Sequence, residues 1–371
     1  MGVPPLWDLL KVTVEKRSLL NLSTKQGFDT NRRRLRTLLV GIDISIRIEA
    51  CIHARAGNQI TALETIFYQL CNLLEAPVTP VFVFDGPGRP AVKRGIHRVR
   101  NNPLWIINHL KELLTAFGYH FYTAPGEAEA ELAQLNRLGF IDAVISEDSD
   151  TIVFGAPCVI RTSGPYVTDA SQIYTSAAIS AHPLYLDDDG LLLFVLLVGG
   201  DYARGLAHCG PKIATALAQC GFGRDLRRIL KTFGGAELQE ELGLWREALK
   251  AELKSNGSGH LDKRYPKLAN EVDSSFPNLD VAELYMDPLT SWSSRFSGAA
   301  PETSQWTPRE PHVDQVSSFC VAHFGWESIL LDRLKANFWP GVASRMLFSV
   351  HKLCSRLHLS SNDCFQEVPH L

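Results

Sequence analysis

Three apolar runs in the first half of the chain each end on acid. RTLLVGIDIS reaches Asp43, TPVFVFDG reaches Asp85, and IDAVIS runs directly into Glu147, Asp148 and Asp150. Between them lie stretches of helical periodicity. NQITALETIFYQLCNLLEA sets Ile60, Leu63, Ile66, Leu70 and Leu73 along one face. PLWIINHLKELLTAFG ends on Gly118, and EAEAELAQLNRLG places Leu132, Leu135 and Leu138 on its apolar side and ends on Gly139. Apolar runs of strand length alternating with helices predict an α/β fold, a mostly parallel central sheet flanked by helices.

In open sheets of this kind, ligands bind at the C-terminal edge of the strands. Asp43, Asp85, Asp148 and Asp150 all belong to that edge. Asp148 and Asp150 are two apart, so in an extended segment they point the same way. Glu127 and Glu129 open a helix, and Asp201 follows Gly199-Gly200. If these seven converge, they repel one another strongly unless cations neutralise them. Hard oxygen donors suit Mg²⁺ or Mn²⁺. Two such ions could clamp the attacking and leaving oxygens of a phosphodiester.

Each acid also has a bland reading. Glu127 and Glu129 would be favoured at a helix N-terminus anyway, Asp85 could be a turn residue in DGPG, and Asp201 a helix cap. The joint coincidence of acids at three strand ends favours the site. Asp187, Asp188 and Asp189 read as a cap before the apolar helix GLLLFVLLVGG. Glu131 is expected on the solvated face, and Glu147 is set aside with it.

Net charge is −3 over 371 residues, so any contact with nucleic acid must rest on local basic patches. Candidates are 93–100 (KRGIHRVR), Lys212 and the arginines of 32–36. The eight cysteines include no C-x-x-C pair, which points to reduced thiols in an intracellular protein and away from zinc. Gly2 raises myristoylation, but Leu6 stands where that motif wants Ser or Thr. The longest apolar run is too short to span a bilayer, so the expectation is a soluble protein with no membrane partner. GLAHCGPKIATALAQCG reads as two short helices around a tight turn. Beyond Leu230 the chain reads as irregular, with linker-like segments at KSNGSGH and SGAAPETSQWTPREP. The stretch VDQVSSFCVAHFGWESILLDRLKANFWPG then reads as helical and apolar enough to pack on the body, and the last twenty residues as frayed.

With these residues in hand, the sequence resembles the XPG/flap endonuclease family of structure-specific nucleases. It is most similar to the Holliday-junction resolvase branch, in a fungal style. The motifs are MGVPPLWDLL, VGIDIS, VFVFDG, APGEAEAELA, SEDSDTIVFGA, GGDY and AHCGPKIA. The resemblance implies a nuclease core with two Mg²⁺ or Mn²⁺ ions held by Asp43, Asp85, Glu127, Glu129, Asp148, Asp150 and Asp201. It also implies Lys93 and Arg100 at the base of a gateway, where cations would stabilise the scissile phosphate. A helix–two-turn–helix DNA-binding element follows from GLAHCGPKIATALA, so Gly2, Gly210 and Lys212, with Lys93 and Arg100, are the expected DNA contacts. Three features depart from the family pattern: His208 stands where the hairpin usually has Gly, Arg47 replaces an apolar or aromatic residue, and GFDTNRRRLRT is an unusual insert that could be a phosphate patch or a loop.

The expected organisation is an N-terminal region over 1–100, an internal region over 101–200 completing the core, a DNA-binding region over 201–235 and a partly irregular extension over 236–371. The expected function is Mg²⁺-dependent hydrolysis of branched double-stranded DNA, Holliday junctions and 5′ flaps, in repair and recombination. The chain would be a nuclear monomer that pairs on a junction. The alternatives are a non-catalytic branched-DNA-binding paralogue, or a haloacid-dehalogenase-type phosphatase with Asp148 as nucleophile.

Overall fold

The computed structural model describes all residues except 1, 32, 46–47, 49–58, 91, 94–95, 98–103, 163, 165, 185 and 357–371. Among the described residues nine strands run in chain order: β1 (Glu15–Ser18), β2 (Leu38–Asp43), β3 (Val78–Phe84), β4 (Val92–Lys93), β5 (Ile96–His97), β6 (His120–Thr123), β7 (Ala143–Ile145), β8 (Cys158–Arg161) and β9 (Ala170–Thr175). Seven of them form one sheet in the order β1-β9-β8-β7-β2-β3-β6, while β4 and β5 pair as a separate small hairpin. The β8-β7-β2-β3-β6 centre is parallel, and only β1 and β9 run antiparallel to their neighbours. The expected mostly parallel sheet is present.

Both faces of the central strands are covered, so β2, β3 and β7 are mostly apolar. Successive side chains alternate between two cores. Leu39, Val81, Val83 and Val144 enter one core, beside the helices Pro4–Leu10, Ala128–Arg137 and Asp188–Val198. Val40, Ile42, Phe82, Phe84 and Ile145 enter the other, beside Gln59–Leu74, Leu104–Ala116 and Val313–Phe324. Gly41 is bare because a Cβ there would collide with Leu132 of the helix lying across β2. On that helix Leu132 and Leu135 are buried, but Leu138 is exposed.

The sequence reading needs correction in three places. Residues 205–221 hold one helix, Pro211–Gln219; its partner is the preceding apolar helix Asp188–Val198, capped by the Asp187 side chain as expected. The chain beyond Leu230 is not irregular at first, since Gly235–Ser255 is a helix of 21 residues, followed by Pro266–Glu271 and Leu279–Met286. Only β2, β3 and β7 were read from the sequence; β1, β4, β5, β6, β8 and β9 were not. The residues after 290 then return to the sheet and its helices. Trp292 stacks on Phe140, Trp306 stacks on Tyr122, and Arg345 donates to the carbonyl oxygen of Val78 at 3.0 Å. The helices Val313–Phe324 and Leu330–Asn337 pack on the body as expected. Trp339–Arg356 is helical, and the remainder of the expected frayed tail lies outside the described residues.

Candidate active site

The order β7-β2-β3 sets three strand ends side by side. Asp43, the last residue of β2, pairs with Val83 of β3, and Ile42 pairs with Ile145 of β7. Asp43 is buried, and its Oδ1 accepts from the Ser45 amide at 2.7 Å.

Asp85 follows β3 and reaches across to the next layer. Its Oδ1 accepts from the Ala128 amide at 3.0 Å, at the first turn of the helix Ala128–Arg137. Its Oδ2 lies 3.3 Å from Arg89. A carboxylate suits that end of a helix. Glu127, the N-cap residue, and Glu129, in the first turn, are thereby fixed beside the strand ends. The two loops interlock: Gly86 donates to the carbonyl of Gly126 at 2.7 Å, and a Cβ on Gly86 would collide with the carbonyl of Ala124.

Asp148 and Asp150 are not in an extended segment as expected. The Asp150 amide donates to Asp148 Oδ1 at 2.9 Å, and Asp150 starts the short helix Asp150–Val153. A side-chain-closed turn of this kind replaces strand geometry. The N-terminal segment is fastened to it. Val3 donates to Ser149 Oγ at 2.8 Å, and Ser149 Oγ donates back to the Val3 carbonyl at 3.1 Å. Gly2 sits against the same turn with φ +74°, and a Cβ there would collide with Asp148 Oδ1.

Asp201 emerges from Gly199-Gly200 at the end of Asp188–Val198 and is 2 % exposed. Two tyrosines report the convergence of these acids. Tyr202 donates its hydroxyl to Glu127 Oε2. Burial, then the charges of Glu127, Asp150 and Glu129, push the Tyr202 hydroxyl well above the usual phenol range. Tyr285 is raised in the same direction by burial and then by Asp150, Asp201, Asp148 and Glu127. Strand pairing adds Asp43, and the Ala128 contact adds Asp85.

Six of the seven acids are buried, and Asp85 is partly so. Buried carboxylates gathered at one sheet edge cost stability, so the cluster is not a source of stability. Among the described residues, no three His, Cys, Asp or Glu side chains form a ready-made cation cage. The donor set is nonetheless all carboxylate, which fits a hard divalent cation.

The XPG N-terminal domain profile matches residues 1–103, and the XPG I-region profile matches 118–201. Among solved structures, the junction-resolving enzyme GEN1 in complex with product DNA and Mg²⁺ superposes with a TM-score of 0.70. It is 30% identical, over 90% of this chain and 77% of that one. This chain belongs to the XPG family. A second structure, of a eukaryotic junction-resolving enzyme GEN-1 with cesium, gives a TM-score of 0.74 at 29% identity, over 92% of this chain and 78% of that one. The Arabidopsis thaliana flap endonuclease GEN-like 1 is 32% identical over 225 residues, 54% of this chain and 35% of that relative. The chain therefore spans about a third of that curated relative's length.

Other expected site residues divide by location. Lys93 lies in β4, and Arg100 lies outside the described residues, as does Arg47. Gly210 is the N-cap of Pro211–Gln219, and Lys212 is exposed in its first turn. His208 is exposed with φ +64°, a left-handed conformation that suits the glycine usual in this family. The insert is not simply a phosphate patch. Arg33 pairs with Asp142 and donates to the carbonyls of Gly139 and Phe140, and Arg36 lies over the Phe28 ring.

Glu131 is not on a solvated face. It is fully buried, accepting from the Tyr122 hydroxyl and the Ser291 amide, each at 2.8 Å. The sequence reading also missed Tyr202 and Tyr285 as site residues. Tyr202 stands in the GGDY motif and could have been found there; Tyr285 carries no local signal.

Proposed function

We propose that this chain is a structure-specific endonuclease that hydrolyses phosphodiesters in branched DNA, both Holliday junctions and 5′ flaps. The observation that carries the reading is the gathering of Asp43, Asp85, Glu127, Glu129, Asp148, Asp150 and Asp201 at one sheet edge in an XPG-family core. These residues would hold two Mg²⁺ or Mn²⁺ ions. Bound there, the ions would supply an activated water and charge neutralisation at the scissile phosphate. The GEN1 relative with product DNA and Mg²⁺ supports the reading.

The chain's own part is positional. Asp85 fixes the helix that carries Glu127 and Glu129, the Asp148–Asp150 turn fixes two further acids, and Val3 and Ser149 lock the N-terminal segment against that turn. Lys93 and Arg100 would meet the phosphate and stabilise its developing charge.

DNA grip would rest on the N-terminus of Pro211–Gln219. Gly210 has ordinary extended backbone, and a Cβ there would meet nothing within 4 Å. The chain's own packing does not require glycine at this position. Close approach of a phosphate backbone to a bare amide would. Lys212 adds charge beside it, and such contacts grip DNA without reading its sequence.

The junction preference follows from the passage between Lys93 and Glu127. Helix Leu104–Ala116 and strand β6 use up most of it. Too little chain remains for a closed arch, so a continuous strand could enter without a free end. One active site cuts one strand, so two monomers would pair on a junction. The eukaryotic DNA-repair relatives support a nuclear location. No helix of the described residues is long and apolar enough to cross a membrane.

The test uses a labelled closed four-way junction and a 5′ flap with its end blocked by a bulky adduct, each with Mg²⁺ or Ca²⁺. Cleavage of both with Mg²⁺ is expected. Ca²⁺ should support binding alone, because its looser coordination misplaces the nucleophile. Asp43→Asn and Asp148→Asn should bind DNA and fail to cut. Most activity surviving in the double variant would overturn the metal assignment, and an uncut junction beside a lost flap cut would overturn the open passage. Tight junction binding with no cleavage would favour the non-catalytic reading.

A further inference from the structure

Tyr285 comes from the helix Leu279–Met286, in the part of the chain beyond both matched family regions. Yet it ends up against Tyr202, whose hydroxyl donates to Glu127, and against Gly200, which precedes Asp201. It is 5% exposed, and its ring packs on Tyr202 at 5.0 Å and on Phe154 at 5.5 Å between centroids. Its hydroxyl is buried, and no described residue hydrogen-bonds to it. That is costly for a phenol, and a phenylalanine would fill the same space without the penalty.

Gly200 bears on the same point. Its backbone does not adopt a left-handed conformation, so conformation does not call for glycine. A Cβ there would stand 2.8 Å from the Tyr285 hydroxyl oxygen, closer than real Cβ contacts allow. The chain thus keeps residue 200 bare, immediately before Asp201, and the nearest atom in the space this opens is a hydroxyl with no partner.

We propose that Tyr285 is a positioning residue of the active site. Its hydroxyl donates to the Asp201 carboxylate when a divalent cation draws the acids in, and so orients it. The inference rests on the metal-dependent reading above. Outer hydrogen bonds of this kind tune metal affinity even though they do not touch the metal. The C-terminal extension is then part of the catalytic machinery and not only a brace for the core.

The variant Tyr285→Phe keeps the ring packing and removes only the hydroxyl. Three readouts on the full chain test it: melting temperature without divalent cation, Mn²⁺ affinity by electron paramagnetic resonance, and junction cleavage. The metal-free protein should melt at the same temperature or roughly 1–3 °C higher, because a buried unpaired hydroxyl is gone. Mn²⁺ affinity should fall roughly tenfold, and kcat should fall with KM for DNA unchanged. Unchanged Mn²⁺ affinity would overturn the proposal, as would a clearly lower melting temperature, which would mean that the hydroxyl serves the folded apoprotein. If the wild-type chain cut no DNA, the proposed function would fail, and the Mn²⁺ comparison would still decide the role of Tyr285.

Discussion

Val3 and Ser149 exchange two hydrogen bonds: the Val3 amide donates to the serine hydroxyl at 2.8 Å, and that hydroxyl donates to the Val3 carbonyl at 3.1 Å. One side chain therefore satisfies both backbone groups of a buried residue, and it does so between Asp148 and Asp150. Ser149→Ala should lower stability by about 1–3 kcal/mol, because it leaves the buried Val3 amide unpaired, while the Val3 carbonyl keeps the Leu6 amide. Activity should fall further than stability accounts for, since the acid turn loses its brace. Denaturant melts alongside cleavage rates check this; full activity at reduced stability would show that the brace does not position the acids. Gly2→Ala should be worse in both respects, as its Cβ would collide with Asp148 in a backbone conformation that disfavours side chains.

His208 adopts φ +64° on an exposed turn. A left-handed residue with a Cβ costs roughly 1–2 kcal/mol relative to glycine. His208→Gly should therefore stabilise the protein by about 1 kcal/mol in thermal or urea melts. Removing the side chain should also leave junction affinity equal or tighter. Weaker binding would mean that the imidazole itself contacts DNA.

Lys212 is exposed in the first turn of Pro211–Gln219. Lys212→Ala should weaken DNA binding similarly across sequences and reduce the slope of log affinity against log salt by about one. A loss confined to certain sequences would contradict a phosphate contact.

Glu131 gives a pH prediction. Burial raises its pKa above the ordinary 4.5, although hydrogen bonds from Ser291 and Tyr122 act the other way. A carboxyl raised in the folded state binds more protons folded than unfolded between the two values. Its stabilising contribution is thus fullest below 4.5 and is lost as pH rises through the raised value. Glu131→Gln cannot titrate. The melting temperature of the wild type minus that of the variant should therefore decline from about pH 4 to about pH 7. A difference that is flat or grows with pH would show that the hydrogen bonds outweigh burial.

The strands β2, β3 and β7, the helices between them and the acids at their ends were legible because local sequence encodes them. A run of apolar residues marks a strand covered on both faces, a period near four marks a helix, and an acid just past such a run falls at the sheet edge whatever lies elsewhere. The motifs suggested roles for Asp201 and Gly210, and the roles proposed for Lys93 and Arg100 rest on the resemblance alone. What a polar side chain meets was not legible. Glu131 has the spacing of a solvated helix residue, and it became buried because Tyr122 of β6 and Ser291, 160 residues further along, close over it. Asp148 and Asp150 left strand geometry because the Asp150 amide found Asp148 Oδ1, a choice made by the packing of Val3 and Ser149 around the turn. Tyr285 lies in a stretch that reads as irregular in sequence, and only the packing of the helix Leu279–Met286 set its hydroxyl beside Gly200. Periodicity depends on neighbours in sequence, which the chain specifies directly. Burial and polar partnership depend on which distant surface arrives, and that is decided only when the whole chain packs.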